Sequence, residues 1–167
     1  MFAVSLGLIA LAVWLYLVLG RDFFWIQRPS EHIPHSLHGP VIAAIVPARN
    51  EAAVVGETIP ALVQQDYAGY YHVFLVDDHS TDRTGPLARQ ASQSVEQNER
   101  LTVIQAPPLP EGWTGKLWAL ETGMRSALEV FPDIEYFLFT DADILHPRHS
   151  LSHLVALMEA GSLNGLH

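Results

Sequence analysis

The chain contains no cysteine in 167 residues, which excludes disulfides and thiolate metal sites. That absence is compatible with a reducing compartment. Positive charge is scarce: 9 Lys and Arg stand against 18 Asp and Glu, for a net charge of −9. Affinity for a nucleic acid backbone rests on clustered Lys and Arg, so no nucleic acid partner is expected. Neither G-x-G-x-x-G nor G-x-x-x-x-G-K-[ST] occurs. Dinucleotide oxidoreductases and P-loop kinases therefore leave the field. No internal repeat and no low-complexity tract is present.

Charge is also missing from one whole segment. Met1 to Gly20 carries no charged side chain and is dominated by Leu, Val and Ala, with Ile, Trp and Tyr. A run of roughly 20 apolar residues suffices to cross a bilayer as a helix, so residues 1–20 read as a transmembrane anchor. A cleaved signal peptide would need a basic stretch before the apolar core and small residues after it. Bulky Asp22-Phe23-Phe24-Trp25 follows instead. Arg21, Trp25 and Arg28 supply interfacial anchors, and basic residues after the span place the remainder in the cytoplasm, on a cytoplasmic (inner) membrane. Residues 21–40 read as a juxtamembrane linker. His32, His35 and His38 invite a metal reading, but Pro34 breaks the helix that would align them and only Glu31 could join them.

From Val41 onward, residues 41–167 alternate between strand and helix patterns. Strands are expected at Val41–Val46, His72–Val76, Leu101–Gln105 and Glu135–Thr140. Helices are expected at Ala53–Gln65, Thr84–Gln97, Lys116–Val130 and Pro147–Ala160. Pro60 should shorten or kink the first helix, Ser80 or Asp82 should cap the second, and Pro147 should sit in the first turn of the last. This alternation predicts an α/β class with a mostly parallel sheet. Four strands make half a sheet, with the last strand at or near an edge, and an end this abrupt reads as a fragment.

Two acidic clusters carry the chemistry. Val73-Phe74-Leu75-Val76 runs into Asp77-Asp78-His79-Ser80-Thr81-Asp82, and Tyr136-Phe137-Leu138-Phe139-Thr140 runs into Asp141-Ala142-Asp143. Both apolar runs read as strands covered on both faces. Open α/β sheets hold ligands beyond the carboxyl edge of their strands. Gathered carboxylates repel one another and call for a cation or a hydrogen-bonded ligand. Asp141 and Asp143 share a face of an extended segment. That pair suits Mg²⁺ or Mn²⁺, which bind through one or two carboxylates plus substrate phosphates. A turn capped by Asp143 is the plain alternative. At the first cluster, capping explains one or two side chains but not two adjacent acids at the strand exit. A carboxylate there can accept hydrogen bonds from a base imide or from ribose hydroxyls.

Pro47-Ala48-Arg49-Asn50-Glu51, Gln65-Asp66-Tyr67, Val76–Asp82 and Asp141-Ala142-Asp143, in that order, resemble the signature of family 2 glycosyltransferases. The resemblance covers Val41 to about Ala160. Gly112-Trp113-Thr114-Gly115-Lys116-Leu117-Trp118-Ala119-Leu120, with the apolar N-terminus, resembles the hopanoid-biosynthesis-associated branch of that family. What this implies is a GT-A fold, a nucleoside-diphosphate sugar donor such as a UDP-sugar, a divalent metal and a lipid-type acceptor at a membrane. Carried over by position, Pro47, Ala48 and Glu51 border the nucleoside, and Asp78 contacts the base with Asp77 beside it. Asp141 faces ribose and metal, and Asp143 is the metal ligand. Lys116 approaches the donor, or is an exposed lysine at a helix start. Trp113 and Trp118 line the cleft or pack in the core, and His149 and His153 form a polar helix face. Family members carry an acceptor-binding half with the catalytic base downstream of the Asp-x-Asp strand. Inverting transfer needs such a base, and no residue named here supplies it. Donor binding without transfer is therefore the alternative reading.

Overall fold

The computed structural model describes residues 2–19 and 39–164. The linker with Arg21, Trp25, Arg28, His32, His35 and His38 lies outside the described residues, as do 165–167. The chain divides into two units, residues 1–33 and 34–167. In the first, α1 runs Phe2–Leu19. At 1.5 Å per residue its 18 residues span about 27 Å, short of the roughly 30 Å hydrocarbon core of a bilayer. Among the described residues no helix is long and apolar enough to cross a membrane, so the expected transmembrane helix over 1–20 is not found.

The second unit is a parallel α/β sheet. Its strands are β1 (Ile42–Ala48), β2 (Tyr71–Asp77), β3 (Leu101–Gln105) and β4 (Tyr136–Phe139), in the order β3-β2-β1-β4. All three pairings are parallel. Side chains alternate across β1 and β2, which makes two cores. Ile42, Ala44, Val46, Val73 and Leu75 pack with Val55, Ile59 and Leu62 of α2 (Val55–Val63), Ala88 of α3 (Thr84–Ser94), and Leu151 and Val155 of α5 (Ser150–Asn164). On the other face Ala43, Ile45 and Phe74 pack with Leu120, Met124 and Ala127 of α4 (Gly115–Val130). Close approach of α4 to the sheet requires a glycine: a Cβ on Gly123 would press into the side chains of Ile45 and Val76.

Several boundaries differ from the sequence reading for identifiable reasons. Helix α2 is nine residues, shorter than expected at both ends, with Pro60 inside it. Residues 51–54 form a turn in which Glu51 O accepts the Val54 and Val55 amides. Helix α5 starts at Ser150; Pro147 precedes it and its carbonyl accepts the Ser150 amide. At the start of α3, Arg83 offers no side-chain cap. Instead, Asp82 accepts the Thr84 amide at 2.9 Å, so the expected acid serves from one residue further out. Strand β4 does lie at the sheet edge, but it is not covered on both faces: Tyr136 and Phe139 are exposed. Only β2 is buried along its whole length.

A histidine lies buried in β2. His72 is buried against Phe74 and Phe131, at ring distances of 4.9 and 5.1 Å. Its Nε2 lies 2.8 Å from Thr102 Oγ1, while Nδ1 has no partner among the described residues. A buried orphan N–H is costlier than a buried lone pair, so the proton belongs on Nε2, which donates to Thr102. Burial holds the pKa below the ordinary 6.5. The unfolded chain therefore takes up a proton that the folded chain refuses. The histidine's contribution is complete above about pH 6.5 and declines as pH falls from there towards the folded pKa. Urea unfolding at pH 5.5 and 7.5 is expected to show a smaller pH difference for His72→Gln than for the unsubstituted chain.

Candidate donor-binding cleft

Strand order reverses at β1: the chain steps from β1 through β2 to β3 on one side, then returns to place β4 on the other. Such a reversal opens a crevice at the carboxyl edge, and a cleft of about 430 Å³ lies there. Pro47, Ala48, Arg49 and Glu51 enter it from the end of β1, and Asp78 from the end of β2. Gly115 and Lys116 enter from the first turn of α4, and Asp141, Ala142 and Asp143 from the exit of β4. Six of the seven residues assigned to the donor from sequence thus meet in one cleft, together with Asp143, the residue expected to bind the metal.

Asp77 does not. It is the last residue of β2, its side chain points towards α3, and its Oδ1 accepts the Ser80 amide at 2.8 Å. Its carbonyl accepts from Ala106 N and Gln105 Nε2. Asp77 braces the turn that delivers Asp78. That turn is sharp enough to hold His79 in the left-handed region, at a φ of 54°; Asn50, in the loop after β1, takes 58°. These two loops are tied together. Asn50 N donates to Ser80 Oγ at 2.9 Å, Thr81 N to Asn50 Oδ1 at 2.8 Å, Glu51 N to Thr84 Oγ1 at 2.8 Å and Ala52 N to Asp82 Oδ2 at 3.1 Å. The hydrogen bond from the Thr84 hydroxyl holds the Asp82 carboxyl below its usual range.

The electrostatics of the cleft are mixed. Asp78, nearly buried, accepts from Arg49 Nη1 at 3.3 Å. Lys116 Nζ lies 2.6 Å from Asp141 Oδ1, with both side chains more than half exposed. Among the described residues, Glu51 and Asp143 have no ion-pair partner. The Asp141–Asp143 segment is a turn rather than a strand, yet its residues still alternate. Ala142 is buried, while Asp141 and Asp143 face the cleft. This is an oxygen-only set of hard donors, which fits Mg²⁺ or Mn²⁺ completed by substrate oxygens. Among the described residues no group of three or more His, Asp or Glu is placed to hold a metal by itself.

Arg49 and Gly115 were not singled out from sequence. Arg49 was readable as the one cation inside the Pro47–Glu51 motif. Gly115 occupies the first helical position directly after the cap Thr114, where capping gives no reason for glycine; close approach does. A Cβ there would collide with Asp78 Oδ2. Trp113 and Trp118 neither line the cleft nor enter the core. They contact each other edge-on at 5.4 Å, with Trp118 Nε1 donating to Pro107 O. His149 pairs with Asp66 at 3.4 Å, away from the cleft.

The model of glycosyl transferase family 2 matches residues 43–165. The chain belongs to that family. A beta-monoglucosyldiacylglycerol synthase of Synechocystis is 42% identical over 59 residues, 35% of this chain and 12% of that protein. The mannosyltransferase PcManGT of Pyrobaculum calidifontis, solved with GDP-Man and Mn²⁺, superposes with a TM-score of 0.64 at 26% identity. The match covers 92% of this chain and 43% of that one. TarS of S. aureus, solved with UDP, gives 0.53 at 26% identity, covering 71% and 32%. The chain thus spans less than half the length of each of these relatives. These neighbours bear out the GT-A-like parallel sheet expected of a family 2 member.

The collision at Gly115 has a measurable consequence. Because the atom in the way is the end of an acidic side chain, Gly115→Ala is expected to change stability by no more than about 1 kcal/mol. It should nevertheless displace the Asp78 carboxylate from Arg49. Urea unfolding and a crystal structure of the variant check the two halves of that expectation.

Proposed function

We propose that this chain is the donor-binding part of a metal-dependent glycosyltransferase that moves a sugar from a nucleoside-diphosphate sugar, a UDP-sugar, to a lipid-type acceptor. The single observation that carries the reading is convergence. Asp78, the α4 N-terminus with Lys116, and the Asp141/Asp143 pair come from three distant segments into one cleft at the sheet reversal. Each meets a different part of one ligand. Asp78 accepts from the base imide. The first turn of α4 and the Lys116 ammonium offer positive charge to a diphosphate. Asp141 and Asp143 would hold Mg²⁺ or Mn²⁺, which would supply positive charge to neutralise the diphosphate. Arg49 orients Asp78, and Lys116 releases Asp141 when the donor arrives.

The lipid-type acceptor is supported by the name of the Synechocystis relative and by the resemblance of Gly112–Leu120 to the hopanoid-associated branch. Attachment to a membrane through α1 goes with it: Leu8, Ile9, Leu11, Trp14 and Tyr16 are exposed apolar side chains on that helix. Co-sedimentation of the full chain with phospholipid vesicles, lost on deleting residues 1–20, checks this. A second reading, donor binding without transfer, is favoured by one observation. Of the carboxylates in the cleft, Asp78 and Asp141 are already ion-paired, and the other roles assigned leave none to take the acceptor proton. Release of free UDP or transfer of labelled sugar separates the readings.

With UDP-sugar and Mn²⁺ at about 100 times Kd, binding adds about 2.7 kcal/mol, or roughly 5–10 °C in Tm for a chain this size. Asp78→Asn is expected to abolish the shift, and Asp143→Asn to remove only its Mn²⁺-dependent part. No shift with any UDP- or GDP-sugar would sink the proposal.

A further inference from the structure

Thr58 lies in the middle of α2, outside the cleft and 84 residues before Ala142 in the chain, and it is buried. A threonine in a helix ordinarily returns its hydroxyl proton to the carbonyl four residues back. Here Val54 O is 3.2 Å from Thr58 Oγ1, whereas Ala142 O is 2.7 Å away. A hydroxyl has one proton to give, and the shorter contact takes it. The acceptor is the carbonyl of the residue between Asp141 and Asp143, and Ala142 is itself buried. Thr58 thereby holds the peptide that joins Ala142 to Asp143, one residue on from Asp141.

The chain just past the end of α2 grips the segment again. Buried Gln65 donates through Nε2 to Pro147 O at 2.9 Å and accepts the Leu151 amide on Oε1 at 3.0 Å. The Asp66 amide donates to Arg148 O at 2.8 Å. Gln65 therefore occupies an orphan amide at the start of α5 while fixing the end of the loop that begins at Asp141. Gln65-Asp66-Tyr67 belongs to the sequence signature yet none of the three lines the cleft; fastening this loop accounts for Gln65.

We propose that Thr58 is a positioning residue for the metal pair, setting the separation and aim of Asp141 and Asp143 through the Ala142 peptide, with Gln65 anchoring the far end of the loop. The inference rests on the reading of Asp141 and Asp143 as metal ligands. Groups that orient metal ligands typically change metal affinity 10- to 100-fold when lost. Thr58 touches neither donor nor metal, so its effect falls on the metal and not on the nucleotide base, which Asp78 holds independently.

The test measures Mn²⁺ binding to the full chain in saturating UDP, by the paramagnetic resonance signal of free Mn²⁺, and UDP binding in EDTA by calorimetry. Thr58→Val, nearly isosteric but without a donor, is expected to weaken Mn²⁺ about 10-fold and to leave metal-free UDP binding within about twofold. Thr58→Ser, which keeps the hydroxyl, should restore Mn²⁺ affinity. Should Thr58→Val fail to fold, Thr58→Ala carries the same expectation. Equal Mn²⁺ affinity in the folded Val or Ala variant and the unsubstituted chain overturns the role of Thr58, as does a parallel loss of metal-free UDP binding. Failure of the unsubstituted chain itself to bind Mn²⁺ overturns the metal reading, and this inference with it.

Discussion

Pro47 is the constraint on which the site depends. Along β1 the backbone groups of Ile42 and Ala48 turn towards β2, and those of Val41 and Ile45 towards β4. By that alternation Pro47 also faces β4, and it has no amide proton to offer. Pairing of β1 with β2 continues to Ala48, opposite Asp77, whereas pairing with β4 stops at Ile45, opposite Phe139. The last bond on that side runs from Thr140 N to Ile45 O at 3.3 Å. Beyond it, the chain leaves the sheet and carries Asp141 to Asp143 over its end. A proline in a central strand ordinarily costs a ladder bond; here it stands where the neighbour has already departed, and the space left over is the cleft.

The charged pairs in that space contribute orientation more than stability. The Lys116–Asp141 pair is exposed on both sides, and exposed ion pairs are worth about 0–1 kcal/mol; in the other pair Arg49 is exposed and Asp78 buried. The sheet is held instead by its two apolar faces, with β2 buried throughout. This separation leaves the carboxylates free to be arranged for a ligand, since the fold does not depend on how they pair. Thr140 Oγ1 and His146 Nε2, 2.8 Å apart, close the loop that bears Asp141 and Asp143 and add to its rigidity without entering the cleft.

Much of this was legible from the residues. Apolar runs of four to seven residues separated by helical periodicity located all four strands, and the acids at their exits marked the carboxyl edge before any coordinates did. Two kinds of information were not. Which of two adjacent acids enters a cleft depends on the strand's alternation and on the turn after it; Asp77 completes the ladder, and the reversal at His79 sends Asp78 inward. Close approach is likewise invisible in one dimension. Gly115 and Thr58 look like an ordinary helix start and an ordinary helical threonine until the segments they touch, 30 and more residues away in sequence, are folded against them. The burial of β4 was misjudged because an apolar run does not say whether a neighbour strand covers it.

The lacing between the loop after β1 and the loop after β2 has a consequence for how the protein can vary. Backbone amides of Asn50, Glu51 and Ala52 all end on side chains of the other loop, and the Asn50 side-chain Oδ1 accepts the Thr81 amide in return. Neither loop can gain or lose a residue without leaving donors of both unpaired. Loops are usually where length drifts most freely. These two form a single object in two pieces, and their lengths are locked to each other as firmly as the spacing of strands within a sheet.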